Sequence, residues 1–237
     1  MGVPITIYHG SARVVDEPRF GWGRRYNDFG LGFYCTEDKD VAKEWAVSSL
    51  RGGFANRYTL DTENLSVLKL TGPEYTVLNW MAILVGHRLF STKTPVAVRA
   101  RRYLLERFRV NVGAYDLIYG CRADDAYFAF AQAFLNNTIT VGQLSQGIRP
   151  EKAEVQFVIK SERAFSRIVF EGFEVAERDR YYARRKVRCE RVTQRYLEAL
   201  EEETDGLYIQ DIMRGGITND DPYIPRNLSE QCPVCSR

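Results

Sequence analysis

Between positions 11 and 32 the chain runs through Gly, Arg, Asp and Asn with no helical period and only brief apolar content. Compact domains seldom keep so long a stretch free of regular structure unless it serves a ligand. Two extended segments bracket it. Residues 3–8 are β-branched and apolar and run into the turn composition His9-Gly10-Ser11, while Gly32-Phe33-Tyr34-Cys35 closes the loop. Any fold for this chain must therefore hang a binding loop between two strands, with His9 at the end of the first. The rest must supply the core: 237 residues at 45% hydrophobic can bury one large domain, or one domain with an appendage. Disorder and collagen-like repeats are excluded by the same composition.

From Thr36 the pattern turns helical. Thr36 is a candidate cap, Glu37 and Asp38 suit the positive end, and Val41, Ala42, Trp45 and Ala46 make one apolar face before Gly52-Gly53. Residues 56–60 and 65–70 read as strands joined by the turn Asp61-Thr62-Glu63-Asn64. A helix opens at Pro73 and passes Trp80, Ile83 and Leu84, and another spans residues 96–108. Residues 115–120 form a strand stopped by glycine, after which Asp124-Asp125 starts a helix toward Leu135. In the strand 154–160, Val155, Phe157 and Ile159 alternate with Glu154, Gln156 and Val158, which sets a polar Gln in mid-strand. Residues 165–175 are one more strand. Residues 176–203 form one long charged helix with a narrow stripe of Cys189, Val192, Tyr196 and Leu200, followed by a short element over 207–213 and a surface tail.

Thirty-three Lys and Arg against thirty-one Asp and Glu leave a formal charge of +2, too balanced to demand a nucleic-acid partner. Such a partner needs a local patch, and the basic run Arg184-Arg185-Lys186 with Arg188, Arg191 and Arg195, flanked by Tyr181-Tyr182, is a candidate for one. Acidic residues follow it at 198–203, so a solvated helix face is the plainer reading. The start lacks the basic segment and apolar run of a signal peptide, and no stretch approaches the ~20 apolar residues of a membrane span. Five thinly spread cysteines suit reduced thiols rather than a disulfide framework. Cys232-Pro233-Val234-Cys235 has zinc-knuckle spacing but lacks a second pair, so no metal site is expected. These features together point to a cytoplasmic protein with no membrane partner.

Four segments carry residues suited to chemistry: Tyr8-His9-Gly10-Ser11; Asp28-Phe29-Gly30-Leu31-Gly32-Phe33-Tyr34-Cys35-Thr36; residues 115–125, ending in Gly-Cys-Arg-Ala-Asp-Asp; and Glu154-Val155-Gln156-Phe157-Val158-Ile159-Lys160-Ser161. In that order they resemble the ADP-ribosyltransferase superfamily, in the branch of diphtheria toxin and the poly-ADP-ribose polymerases. That branch uses a His, a Tyr and a Glu or variant from three separated strands. Within the superfamily the pattern is most similar to an uncharacterised bacterial family with HGS, DFGxGFY, a helix containing WA, YDxxxGxxADD and a Gln-bearing strand. The resemblance covers residues 5–170. It implies a split two-sheet core and transfer of ADP-ribose from NAD, with release of nicotinamide, to a protein, nucleic-acid or small-molecule acceptor. A toxin or defence role with a neutralising antitoxin as partner belongs to the same reading. Two alternatives stand beside it: a non-catalytic module that binds NAD or ADP-ribose, and an NAD glycohydrolase with water as acceptor.

Breaking the nicotinamide glycosidic bond passes through an oxocarbenium-like sugar while nicotinamide leaves neutral, so positioning and electrostatics carry most of the work. The resemblance assigns His9 to the adenosine ribose, Gly10 to the nicotinamide amide and Tyr34 to stacking on the nicotinamide ring. Alone, His9 would be a satisfied strand-end histidine and Tyr34 a core aromatic; it is their company that favours the pocket. Gln156 can orient the ribose but cannot become a carboxylate. The missing charge would come from Glu154, Asp124 or Asp125, although the Asp pair also suits helix capping. Arg24, Arg25 and Asn27 suit the pyrophosphate and adenosine half of NAD, and Ser11 the pocket edge, with surface-charge and turn roles as the alternatives. His87, within an amphipathic helix, reads as a partly packed surface residue.

The expected architecture is thus α+β: a split two-sheet ADP-ribosyltransferase-like core over residues 1–175, a long charged helix with a short element over 176–213, and a tail over 214–237.

Overall fold

Strands β1 (Ile5–Ser11) and β2 (Phe33–Cys35) do bracket the loop, but they enter different sheets. The structure is a computed structural model that describes residues 4–123, 125–148, 155–201 and 206–226. Strand β1 is an edge of a three-stranded antiparallel sheet, order β1-β3-β7, with β3 at Gly53–Leu60 and β7 at Ile168–Ala176. Strand β2 is an edge of a four-stranded sheet, order β2-β6-β5-β4, with β6 at Val155–Ile159, β5 at Leu117–Cys121 and β4 at Val67–Lys69. Tyr8 and Thr36 exchange backbone hydrogen bonds of 2.7 and 2.9 Å and so join the two edges.

The period-two patterns explain what lies between the sheets. Ile7, Tyr58 and Leu60 from the first sheet meet Cys35, Leu117 and Ile159 from the second in one buried cluster. On the opposite face of the second sheet, Ile118 and Val158 pack with Phe29, Leu68, Leu70 and Ile83, and Tyr34 covers them. Gln156, two residues from Val158, is on that second face. Sheet two therefore has a face turned to sheet one and a face turned to the loop and the helices.

Eight α-helices are present among the described residues, and with the two sheets they make an α+β fold. The largest core is helical: α2 (Val77–His87), α3 (Pro95–Arg107), α4 (Asp125–Leu135), α5 (Val141–Gly147), α7 (Arg178–Glu201) and α8 (Ile209–Arg214) contribute Leu78, Leu104, Phe130, Leu144, Val192 and Ile212, among others. Helix α1 (Lys39–Ala46) lies on the first sheet, and α6 (Glu162–Phe165) is a single turn ahead of β7. No helix among the described residues is long and apolar enough to cross a membrane.

Several local expectations are corrected. Asp38, rather than Thr36, caps α1: its carboxylate accepts from the backbone N–H of Asp40 and Val41, while Thr36 Oγ1 accepts from Asp38. The strands read at 56–60 and 65–70 do not form a hairpin, because β3 pairs with β1 and β7 while β4 runs parallel to β5. Helix α2 begins at Val77, after Thr76, rather than at Pro73. The strand read at 165–175 starts at Ile168, because Ser161 caps α6 through a bond from the Ala164 N–H. Of the stripe on the long helix, Val192 is buried and Tyr196 stacks edge-on against Phe130, but Leu200 is exposed and Ala199 takes the inward position. That helix shares the main core through Val192 and Ala199 and lies along α1.

Candidate functional site

The loop reaches its site through a run of tethers. Asn56, fully buried, donates to His9 O and Ser11 Oγ and accepts from the Val15 N–H, while Tyr58 OH donates to Val15 O. At the far end, Gly30 has φ +74°, a left-handed conformation that favours glycine, and a Cβ there would meet His87 Nδ1 at 2.8 Å. A Cβ at Gly32 would fall 2.6 Å from Val158 Cγ1. The Lys160 ammonium donates to the carbonyls of Phe29 and Leu31, and Tyr34 OH donates to Gly30 O at 2.7 Å while accepting from the Phe29 N–H at 3.0 Å. Ser161 Oγ in turn donates to Asp116, whose carboxylate also accepts from Ser66 N–H and Oγ. Much of the sequence pattern that looks chemical, including Lys160, Ser161 and Asp116, is thus the fastening of the loop and of β5.

The fastened loop turns Asp28 inward. Its carboxylate is buried and has three donors: Arg88 Nη1 at 2.9 Å on Oδ1, and the Ala123 N–H at 2.8 Å with Gln156 Nε2 at 3.2 Å on Oδ2. Burial raises the Asp28 pKa; the bond from Ala123, the Arg88 charge, the Gln156 bond and the Arg122 charge oppose it. Gln156 is also buried, and because its nitrogen is committed to Asp28, its Oε1 is the acceptor that remains.

Around this pair is a cavity of about 250 Å³, lined by Asn27, Asp28, Tyr34, Trp45, Arg88, Arg122, Ala123, Gln156 and Arg185. Arg88 lies 5.0 Å from the Phe128 ring centroid and Arg122 4.9 Å from that of Trp45, so aromatic faces hold both cations. Arg185 comes from α7 and donates to Val47 O. Three arginines against one carboxylate, itself paired, give the lining an excess of positive charge suited to a phosphate-bearing ligand.

The structure thus brings Asn27, Tyr34 and Gln156 to one cavity. His9 is behind it: Nδ1 donates to Tyr34 O at 2.7 Å, the ring packs 4.4 Å from Phe33, and burial lowers its pKa. Gly10 is covered by α1, since a Cβ there would fall 2.0 Å from Ala42 O. Ser11 Oγ donates to Arg13 O. Arg24 and Arg25 are exposed and are not in the lining. Asp124, Glu154, Cys232 and Cys235 lie outside the described residues, as does the side chain of Asp125. Sequence reasoning sets Trp45 on the apolar face of a helix and Asp28 and Arg122 within motif segments, but assigns no site role to these three or to Arg88. Asp28 had a signal, a lone acid in an otherwise apolar and Gly-rich motif, whereas Arg88 and Arg122 had none beyond charge.

The basic run on α7 is largely engaged within the protein. Arg184 pairs with Asp40 at 2.8 Å and with Glu44 at 3.6 Å, Arg188 pairs with Glu44, and Tyr181, buried, donates to Asp40 at 3.0 Å. Tyr181 therefore cannot stack on a base, which corrects the nucleic-acid reading of that residue.

The fold and site define an α+β protein of two small sheets with a buried Asp-Gln pair at an arginine-lined cavity. Residues 5–170 match the family described as Protein of unknown function (DUF3990), and the chain belongs to that family. No curated protein and no solved structure matches it.

Proposed function

We propose that the cavity receives NAD and that the protein transfers ADP-ribose from it to an acceptor, as the sequence resemblance to ADP-ribosyltransferases implies. The observation that carries this reading is the meeting of Tyr34 and Gln156, from segments far apart in sequence, at one arginine-lined cavity. A two-sheet ADP-ribosyltransferase-like core belongs to the same proposal and is supported by the split between the sheets of β1 and β2.

Each group then has a task. The Tyr34 ring offers a face for nicotinamide; its hydroxyl is occupied by Phe29 and Gly30 and does no chemistry. Gln156 Oε1 accepts from a hydroxyl of the nicotinamide ribose, with the amide held in one orientation by Asp28. Arg122 and Arg185 meet the pyrophosphate, and His9 acts by holding the Tyr34 backbone. The bond between ribose C1′ and nicotinamide breaks, its electron pair leaves with nicotinamide, and the acceptor's nucleophile bonds C1′ and surrenders its proton. Asp124, Asp125 and Glu154 remain the proposed carboxylates for that proton.

The test is nicotinamide release from NAD, with intact-mass analysis of protein, RNA and DNA acceptors. Turnover in the wild type, with Gln156→Ala losing about tenfold to a hundredfold in kcat and little NAD affinity, supports transfer, because only interactions stronger in the transition state accelerate chemistry. NAD binding without turnover in any acceptor pool would instead support the binding module. Release with no acceptor modified would support the glycohydrolase.

A further inference from the structure

The loop that feeds the cavity presents a second feature on its outer side. Phe20, Trp22 and Tyr26 are 51%, 62% and 65% exposed, three large aromatic side chains within seven positions. Single exposed aromatics are ordinary, but three gathered in one tethered loop call for an explanation. Phe20 is seated edge-on against Phe165 at 5.7 Å, and the Arg19 guanidinium lies 5.3 Å from the Trp22 ring centroid. Gly21 and Gly23, with φ of +78° and +124°, fold the backbone between these side chains, and Gly21 has open space about it. Arg24 and Arg25, between Trp22 and Tyr26, are exposed and make no ion pair or hydrogen bond among the described residues. Arg19 holds Glu17, at the loop's acidic end, at 3.3 Å. Tyr26 immediately precedes Asn27, a lining residue of the cavity, so the surface is continuous in sequence with the site.

We propose that this surface docks a single-stranded nucleic acid, with bases stacked on Trp22 and Tyr26 and backbone phosphates met by Arg24 and Arg25. Alternating aromatic faces and unpaired guanidinium groups are the chemistry of single-strand binding, since every base has a π-face and every linkage a charge. Trp, Tyr and Arg serve protein interfaces as well, but two adjacent unpaired guanidinium groups set between two aromatic faces fit the repeating phosphate and base of a strand. Resting on the proposed transfer reaction, this names the acceptor class, because a strand held there is delivered beside Asn27.

The test is fluorescence anisotropy of labelled RNA and DNA single strands of about 15 nucleotides, without NAD, with a duplex of the same sequence alongside. The wild type should bind single strands more tightly than duplex. Trp22→Ala and Tyr26→Ala should each lose about tenfold, with Tyr26→Phe retaining binding. Arg24→Gln with Arg25→Gln should flatten the logarithmic salt slope by about 1.4, at ~0.7 per phosphate on a single strand. These exposed positions leave the fold intact, which circular dichroism checks. No single-strand binding by the wild type, or binding indifferent to all these substitutions, overturns the proposal. So does loss of NAD affinity in Trp22→Ala or Tyr26→Ala, which would assign the loop to NAD itself. Single-strand binding with no NAD turnover would leave the docking surface standing and remove the transfer reaction.

Discussion

The Gln156 amide nitrogen donates to the Asp28 carboxylate at 3.2 Å, across 128 positions of chain, and this one contact ties the loop to the middle of the second sheet. A glutamine is what the contact requires, because it can donate to a carboxylate that burial already makes costly to ionise. The same contact offers a physical reason why the strand does not carry a Glu at this position.

Gln156→Glu sets two carboxylates at that distance. They cannot both ionise without strong repulsion, so the folded pair keeps a proton that the unfolded chain loses near pH 4. The folded titration is displaced upward, and stability falls as pH rises through it. Relative to the wild type, the variant should lose little at pH 4.5 and roughly 1–3 kcal/mol more at pH 8, the worth of one to two pH units of displaced titration. Urea unfolding at both pH values checks this, and an equal deficit at both would contradict it.

Gly10 is needed by packing whatever its part in binding. A Cβ there would lie 2.0 Å from Ala42 O and 2.8 Å from Trp45 Cβ, and the first of these is helix backbone. Gly10→Ala must push α1 off β1 and is expected to cost about 1–3 kcal/mol, the usual price of overpacking. Because Trp45 lines the cavity, NAD affinity should fall as well. A variant with wild-type stability and wild-type affinity would show that α1 yields freely.

Local pattern made some of this legible and long-range choice hid the rest. The alternation around Gln156 placed it correctly in mid-strand and opposite Phe157, because strand periodicity is local. The partner of β4 was hidden, since nothing in Val67 to Lys69 distinguishes a hairpin to β3 from a parallel pairing with β5. Helix α5 went unread although Thr140 and Gln143 form its capping box, a signal the sequence does contain. At the site, Tyr34 and Gln156 were legible by type and motif, whereas Arg88 and Arg122 look like any surface arginine until the chain folds Asp28 and Trp45 against them.

The arginines of α7 divide by burial. Arg188 and Glu44 pair with side chains only 14% and 7% exposed, whereas Arg184 and Asp40 pair at 45% and 39%. Removing one partner of a fully buried, otherwise unpaired ion pair costs about 3–5 kcal/mol while exposed pairs contribute ~0–1 kcal/mol, and since Glu44 keeps Arg184 at 3.6 Å the loss of Arg188 falls between the two. Arg188→Gln should therefore destabilise more than Arg184→Gln in thermal or urea unfolding. Equal effects would mean that Glu44 is rescued by Arg184, which lies 3.6 Å from it.

The two histidines, His9 and His87, give the chain a pH response near neutrality. Burial lowers the pKa of both; for His9 the bond to Tyr34 O opposes it, and for His87 the charges of Lys160 and Arg109 add to it. In the window from about pH 6.5 downward the unfolded chain binds protons that the folded chain does not, so stability must fall as pH falls. The carboxylates whose pKa is lowered, Asp40, Asp116 and Glu174, act in the opposite pH region: their contribution is lost only as pH drops through values below the ordinary carboxylate range. Between pH 7 and about pH 5.5 the histidines set a slope in which stability falls with pH, and Asp28, whose pKa burial raises, acts with the opposite sign. His9→Gln should flatten the histidine slope while weakening the hold on Tyr34, and His87→Gln should flatten it without that loss, so only the first should lower NAD affinity. Urea unfolding across this range in both single variants and the double variant checks the assignment, and an undiminished slope in the double variant would refute it.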